Sequence, residues 1–202
     1  NTTASNNVAV GKSALESNTT GASNVAMGMN ALLTNSTGDY NVALGGSAMY
    51  YNTTADANTA IGYAALNANT TGTKNVAVGA YALDANTTTN QNTAIGYNAL
   101  TTNTAGNNTA VGNQAMEANT TGNINVAVGD EALADNTTGA SNIAIGYRAL
   151  YVNTTTSNNI AIGSQALDAN TANNNVAIGY DALSANTSGT RGVAVGYAAL
   201  DA

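Results

Sequence analysis

The stretch NINVAVGDEALAD, Asn123 to Asp135, decides the fold, because it keeps returning. With a few letters changed it is SNVAMGMNALLT (Ser23–Thr34), SNIAIGYRALYV (Ser141–Val152) and NNVAIGYDALSA (Asn174–Ala185). Internal repetition takes precedence over secondary-structure reading, since a repeat dictates the architecture. The chain divides into twelve units beginning at Asn1, Asn18, Asn35, Asn52, Asn69, Asn86, Asn103, Asn119, Asn136, Asn153, Asn170 and Asn186, which form one repetitive array over residues 1–202. Ten units have 17 residues and two, those at Asn103 and Asn170, have 16. The consensus is N-T-T-G-x-x-N-V-A-V-G-x-x-A-L-x-A.

Comparison between copies separates fixed from free positions. Asn at position 1, Ala at 9, Gly at 11 and Ala at 14 occur in every unit. Position 10 is always aliphatic or Met, and position 15 always Leu or Met. Positions 5, 6, 12, 13, 16 and 17 vary widely, so the copies have drifted and the fixed positions were held. The short units predict a deletion in the variable pair before the apolar triplet, near Gly106 and Asn173, where a surface turn tolerates it.

Composition excludes much chemistry. The chain has no His and no Cys, and therefore lacks the usual catalytic base, thiol nucleophile and zinc ligands. Its net charge of −7 and four scattered cations (Lys12, Lys74, Arg148, Arg191) do not suit nucleic acid. No apolar run reaches the roughly 18 residues of a membrane helix. A hydrophobic content of 44% in strict register argues for a fold rather than disorder.

Positions 7 to 11 predict a short strand, β-branched at its centre and bent at Gly11. Positions 13 to 16 predict a second extended segment or a helical turn, and N-T-T-G predicts a turn. One unit is then one coil of an all-β parallel β-solenoid, and twelve coils stacked at about 4.8 Å give a rod of roughly 55–60 Å. Stacking places Asn1 over Asn1 and Asn7 over Asn7, each side-chain amide able to donate and accept along the axis. Alternation puts positions 8 and 10 on one face and 7, 9 and 11 on the other. Both faces are restricted, as in sheets covered on both sides. One face lines the coil, and the other calls for a partner, most simply another copy of the chain. The structural core expected in the quoted unit is Asn119, Asn125, Val126, Ala127, Val128, Gly129, Ala132 and Leu133.

NVAIGYDAL (Asn175–Leu183) and NIAIGYRAL (Asn142–Leu150) resemble the N-S-V-A-I-G-x-x-A/S phrase of YadA-like head repeats in trimeric autotransporter adhesins, and related arrays in phage tail fibres and bacterial surface proteins. The resemblance covers the whole chain. It implies a left-handed β-roll, three chains around an axis, and a place outside the cell, on the cell surface or in a virion fibre. The repeat departs from the family by a longer N-T-T turn, and residues 1–202 contain no neck or coiled-coil stalk.

Candidate sites are few. Tyr63, Tyr97, Tyr147, Tyr180 and Tyr197 share position 12 and predict an interrupted aromatic stripe, either packing over the Gly bend or contacting glycans or host proteins. Asp130, Glu131 and Asp135 form a local acid cluster without the surroundings of a glycosidase pair. Position 16 carries Glu16, Asp84, Glu117, Asp168 and Asp201, but the calcium-solenoid signature is absent. No catalytic, cofactor or metal residue is assigned. N-T-T also spells a glycosylation acceptor, read here as turn chemistry. The expectation is a stiff structural or adhesive extracellular fibre, not an enzyme, with itself and an unknown surface ligand as partners. Two alternatives are an ice-binding monomer using Thr ranks at positions 2 and 3, and a filament stacking end to end. The regular first and last units, without caps, predict a native chain that continues beyond both.

Overall fold

The computed structural model describes residues 3–201; Asn1, which opens the first repeat, lies outside them. Each unit contributes one three-residue strand: β1 (Val8–Val10), β2 (Val25–Met27), β3 (Val42–Leu44), β4 (Thr59–Ile61), β5 (Val76–Val78), β6 (Thr93–Ile95), β7 (Thr109–Val111), β8 (Val126–Val128), β9 (Ile143–Ile145), β10 (Ile160–Ile162), β11 (Val176–Ile178) and β12 (Val193–Val195). They form one parallel sheet in sequence order. Register is strict: Val126 lies between Thr109 and Ile143, Ala127 between Ala110 and Ala144, Val128 between Val111 and Ile145. The chain is a β-solenoid with one strand per coil.

The second extended segment does not form. Positions 11 to 17 are turns, and positions 13 and 15 have φ near +55°, as at Glu131 (54°) and Leu133 (54°). Position 6 is left-handed too, at Ile124 for example (φ 58°). Left-handed backbone costs an L-residue about 1–2 kcal/mol. Stacking offsets that cost: the Leu133 N–H donates to Ala149 O at 2.9 Å, and Leu133 is fully buried. Gly129 turns at φ +143°, and a Cβ there would lie 2.4 Å from Gly146 O, which explains the invariant glycine of position 11.

The interior is narrow. Ala127 and Ala132 point inward, and Leu133 is the one large apolar side chain that its coil encloses. Asn119 and Asn125 are buried with them. Val126 and Val128, expected in the core, lie on the outer face: Val126 is half-buried and Val128 is 37% exposed. A 17-residue coil closes around its Ala and Leu columns and has no room for a second row of Val. Gly129 is half-buried at the bend.

The first Asn ladder runs amide to amide, with Asn136 Nδ2 donating to Asn119 Oδ1 at 2.6 Å and to Gly139 O at 3.0 Å. The second runs amide to backbone. Asn125 Oδ1 accepts the Asn142 N–H at 2.9 Å, and Asn125 Nδ2 donates to Gly139 O at 2.8 Å. Both satisfy buried polar groups that water cannot reach.

The shortened coils lose a different residue from the one expected. The position 1 amide reaches the position 4 carbonyl three residues on in Asn119 (Gly122 O, 2.9 Å), but two residues on in Asn103 (Ala105 O, 2.6 Å) and Asn170 (Ala172 O, 2.7 Å). Gly106 and Asn173 therefore keep position 5, and the missing residue is the second Thr of N-T-T. The variable pair cannot shorten, because its position 6 residues, Asn107 and Asn174, make the left-handed corner (φ 63° in both).

Candidate functional site

Strand alternation that sends Ala9-type residues inward sends positions 8 and 10 outward. The outer face of the sheet is consequently two apolar columns. Position 10 runs Val10, Met27, Leu44, Ile61, Val78, Ile95 and on to Val195, with no polar residue in any coil. Position 8 is Val or Ile, with Thr at Thr59, Thr93 and Thr109. Met27 is 45% exposed and Ile145 37%, so the columns are only partly covered by their own neighbours. Eleven strand spacings make this stripe about 53 Å long. A parallel sheet with one bare aliphatic face is unusual, since such sheets are normally covered on both sides.

The tyrosines form clusters rather than one stripe. Tyr63 and Tyr81 meet edge to face at 5.5 Å between centroids, and Tyr81 and Tyr97 at 6.2 Å. Tyr180 stacks on Tyr197 at 5.3 Å. Tyr147 stands beside Arg148, whose guanidinium lies 5.7 Å from its ring and 4.3 Å from that of Tyr151. Position 12 alone missed Tyr81, which sits at position 13. The signal was present: in that coil position 12 is Ala80, and the neighbouring position supplies the ring.

The acid cluster disperses into separate contacts. Asp130 accepts from Asn113 Nδ2 at 2.8 Å, and Glu131 pairs with Arg148 Nε at 2.6 Å. That pairing, with Tyr151, raises the Arg148 pKa further above its ordinary value. On position 16, burial raises the pKa of Asp84 and Asp168, and Asp168 Oδ1 has no hydrogen-bond partner. Among the described residues no three acidic side chains gather as metal ligands, and no helix is long and apolar enough to cross a membrane. The position 1 asparagines Asn35 (in N-S-T) and Asn52, Asn69 and Asn136 (in N-T-T) are fully buried with Nδ2 already donating, so in the folded coil the atom that would carry a glycan is enclosed.

The chain matches no protein-family model, no curated protein and no solved structure.

Proposed function

We propose that this chain is a structural and adhesive extracellular fibre segment that works as a homo-oligomer. The observation that carries the reading is the apolar stripe on the outer sheet face, unbroken at position 10 and interrupted at position 8 only by Thr59, Thr93 and Thr109. Burying such a stripe is worth about 25 cal/mol per Å² of apolar area, and a second copy offers a surface of the same chemistry and length. The repeat's likeness to YadA-like heads makes the assembly a trimer of left-handed rolls, on a cell surface or in a virion fibre. The coils provide length and stiffness. The variable positions, with the tyrosine clusters at Tyr63–Tyr81–Tyr97 and Tyr180–Tyr197, face outward as the contact surface for a glycan or a host protein.

Sedimentation equilibrium tests this reading. The expected mass is that of three chains of 20.0 kDa. A single-chain mass at all concentrations contradicts it.

The ice-binding alternative is weaker on hydrogen-bond grounds. Most position 2 hydroxyls donate along the axis, Thr53 Oγ1 to Thr70 O at 3.1 Å and Thr120 Oγ1 to Thr137 O at 2.9 Å for example. The rank at position 3 loses its Thr in both shortened coils. Absence of thermal hysteresis removes this alternative.

A further inference from the structure

Number the coils by unit, so that coils 6 and 7 start at Asn86 and Asn103, and coils 10 and 11 at Asn153 and Asn170. The edge that carries positions 1 to 3 is joined three ways at an ordinary junction. Between coils 8 and 9, Asn136 Nδ2 donates to Asn119 Oδ1 (2.6 Å), Thr120 Oγ1 to Thr137 O (2.9 Å), and the N–H groups of Thr120 and Thr121 to the same carbonyl (2.9 and 3.0 Å). At the 6/7 and 10/11 junctions none of these bonds forms. Asn103 and Asn170 turn their amides to Ala105 O and Ala172 O, and toward the coil before only Asn170 keeps a contact, a long 3.5 Å bond to Thr156 Oγ1. Neither the hydroxyls nor the N–H groups of Thr87 and Thr154 reach the next coil's Thr carbonyl. The amide ladder resumes at once beyond each gap, Asn119 to Asn103 at 2.7 Å and Asn186 to Asn170 at 3.0 Å. The last junction, 11/12, lacks only the backbone bond.

The opposite sides of the coil stay closed. The sheet continues in register from β6 to β7 and from β10 to β11. Leu100 N donates to Ala115 O at 3.1 Å and Leu167 N to Ala182 O at 3.0 Å. Each gap is also finished chemically. Position 4 is Gly or Ala in ten coils and Thr in two, Thr89 and Thr156, the coils directly ahead of a short one. Ahead of a full-length coil the position holds nothing larger than Ala, as at Ala55, and at Gly122 a Cβ would lie 2.2 Å from Gly139 O. Ahead of the short coils the larger side chain is accommodated, with Thr89 Oγ1 3.1 Å from the position 4 carbonyl of the next coil, Ala105 O. The Thr89 hydroxyl shares its proton between Asn86 Oδ1 and, across the junction, Ala105 O (3.1 Å), and accepts from Asn92 Nδ2 (3.2 Å); Thr156 donates to Asn153 and accepts from Asn159 (3.1 Å). The amide oxygens left by the broken ladder are thus supplied with donors, and opening the edge strands no buried acceptor.

We infer that the 6/7 and 10/11 junctions are built bending points, at which the rod flexes about its continuous sheet while the N-T-T edge opens and closes. This goes beyond the fibre reading and does not depend on the number of chains. The chain has no Cys, so paired cysteines can be spin-labelled cleanly. Lys74→Cys with Ser141→Cys spans four coils across the 6/7 junction, and Ser23→Cys with Gln91→Cys spans four coils without a short one. Labelled chain is diluted into excess unlabelled chain, and intrachain distances are read by pulsed dipolar spectroscopy. The expected result is a broader distance distribution for the pair across the junction. Inserting Thr between Thr104 and Ala105 together with Thr89→Gly should narrow it to the control width. Equal widths for the two pairs in the unmodified rod overturn the inference, whether or not the repaired variant folds.

Discussion

One strand, β8, has two faces with opposite rules. Inward, Ala127 sits in a column that accepts nothing but Ala; outward, Val126 and Val128 sit in columns that exchange Val, Ile, Thr, Leu and Met. The inner face is small and fixed, the outer face large and variable. Hydrophobicity alone ranks these the wrong way round, because the bulkier residues are the exposed ones. Invariance ranks them correctly. A close-packed interior rejects changes of a single methylene, whereas a face that meets a separate surface tolerates them.

The largest effect should come from breaking the inner ladders. Asn125→Ala strands the Asn142 N–H and takes from the Gly139 carbonyl one of its two amide donors, leaving Asn136 Nδ2, and should cost about 2–4 kcal/mol in denaturant unfolding. Next is Ala127→Leu, which overfills the same interior and should cost about 1–3 kcal/mol, while Asp130→Leu on the exposed bend should leave the melting curve nearly unchanged. Equal tolerance of both substitutions erases the distinction between the faces. A gain is expected at Ile124, a β-branched residue held at φ 58° and 59% exposed. Ile124→Asn should raise stability by about 0.5–1 kcal/mol, and a loss there means that its exposed side chain contributes to an interface.

The smallest effect concerns pH. Burial raises Asp84 and Asp168 above the free carboxyl value of 3.8, with Arg148 partly opposing this at Asp168. Folding therefore favours their protonated forms. That contribution is fully present below pH 3.8 and is lost as pH rises through the raised values. Asp168→Asn should increase the melting temperature at pH 7 and flatten its dependence over the acidic range. An unchanged pH profile places Asp168 in solvent.

The repeat, its period and the solenoid were legible from the sequence because every coil had to satisfy the same stacking geometry. Asn119, Asn125, Ala127 and Leu133 could be singled out by their invariance or narrow choice. The inner face was not legible, because alternation defines two sides without saying which one closes. Position 10 looked like core because it is always apolar. The left-handed corners at Glu131 and Leu133 were hidden too: neither residue type favours that backbone, and only the axial bonds of the stack hold it. The place of the deletion required knowing which carbonyl Asn103 reaches. Tyr81 needed two neighbouring positions to be read as one surface.

The most direct test of the outer face is to charge it and weigh the product. Val128→Glu with Ile145→Glu places two carboxylates in the exposed column and leaves the Ala, Leu and Asn columns untouched. Sedimentation of this variant beside the unmodified chain, with circular dichroism as the check on folding, reads the result. A fall in mass to a single chain with the β-signal retained is the predicted outcome. An unchanged oligomer mass in a folded variant contradicts an assembly held together by the outer stripe.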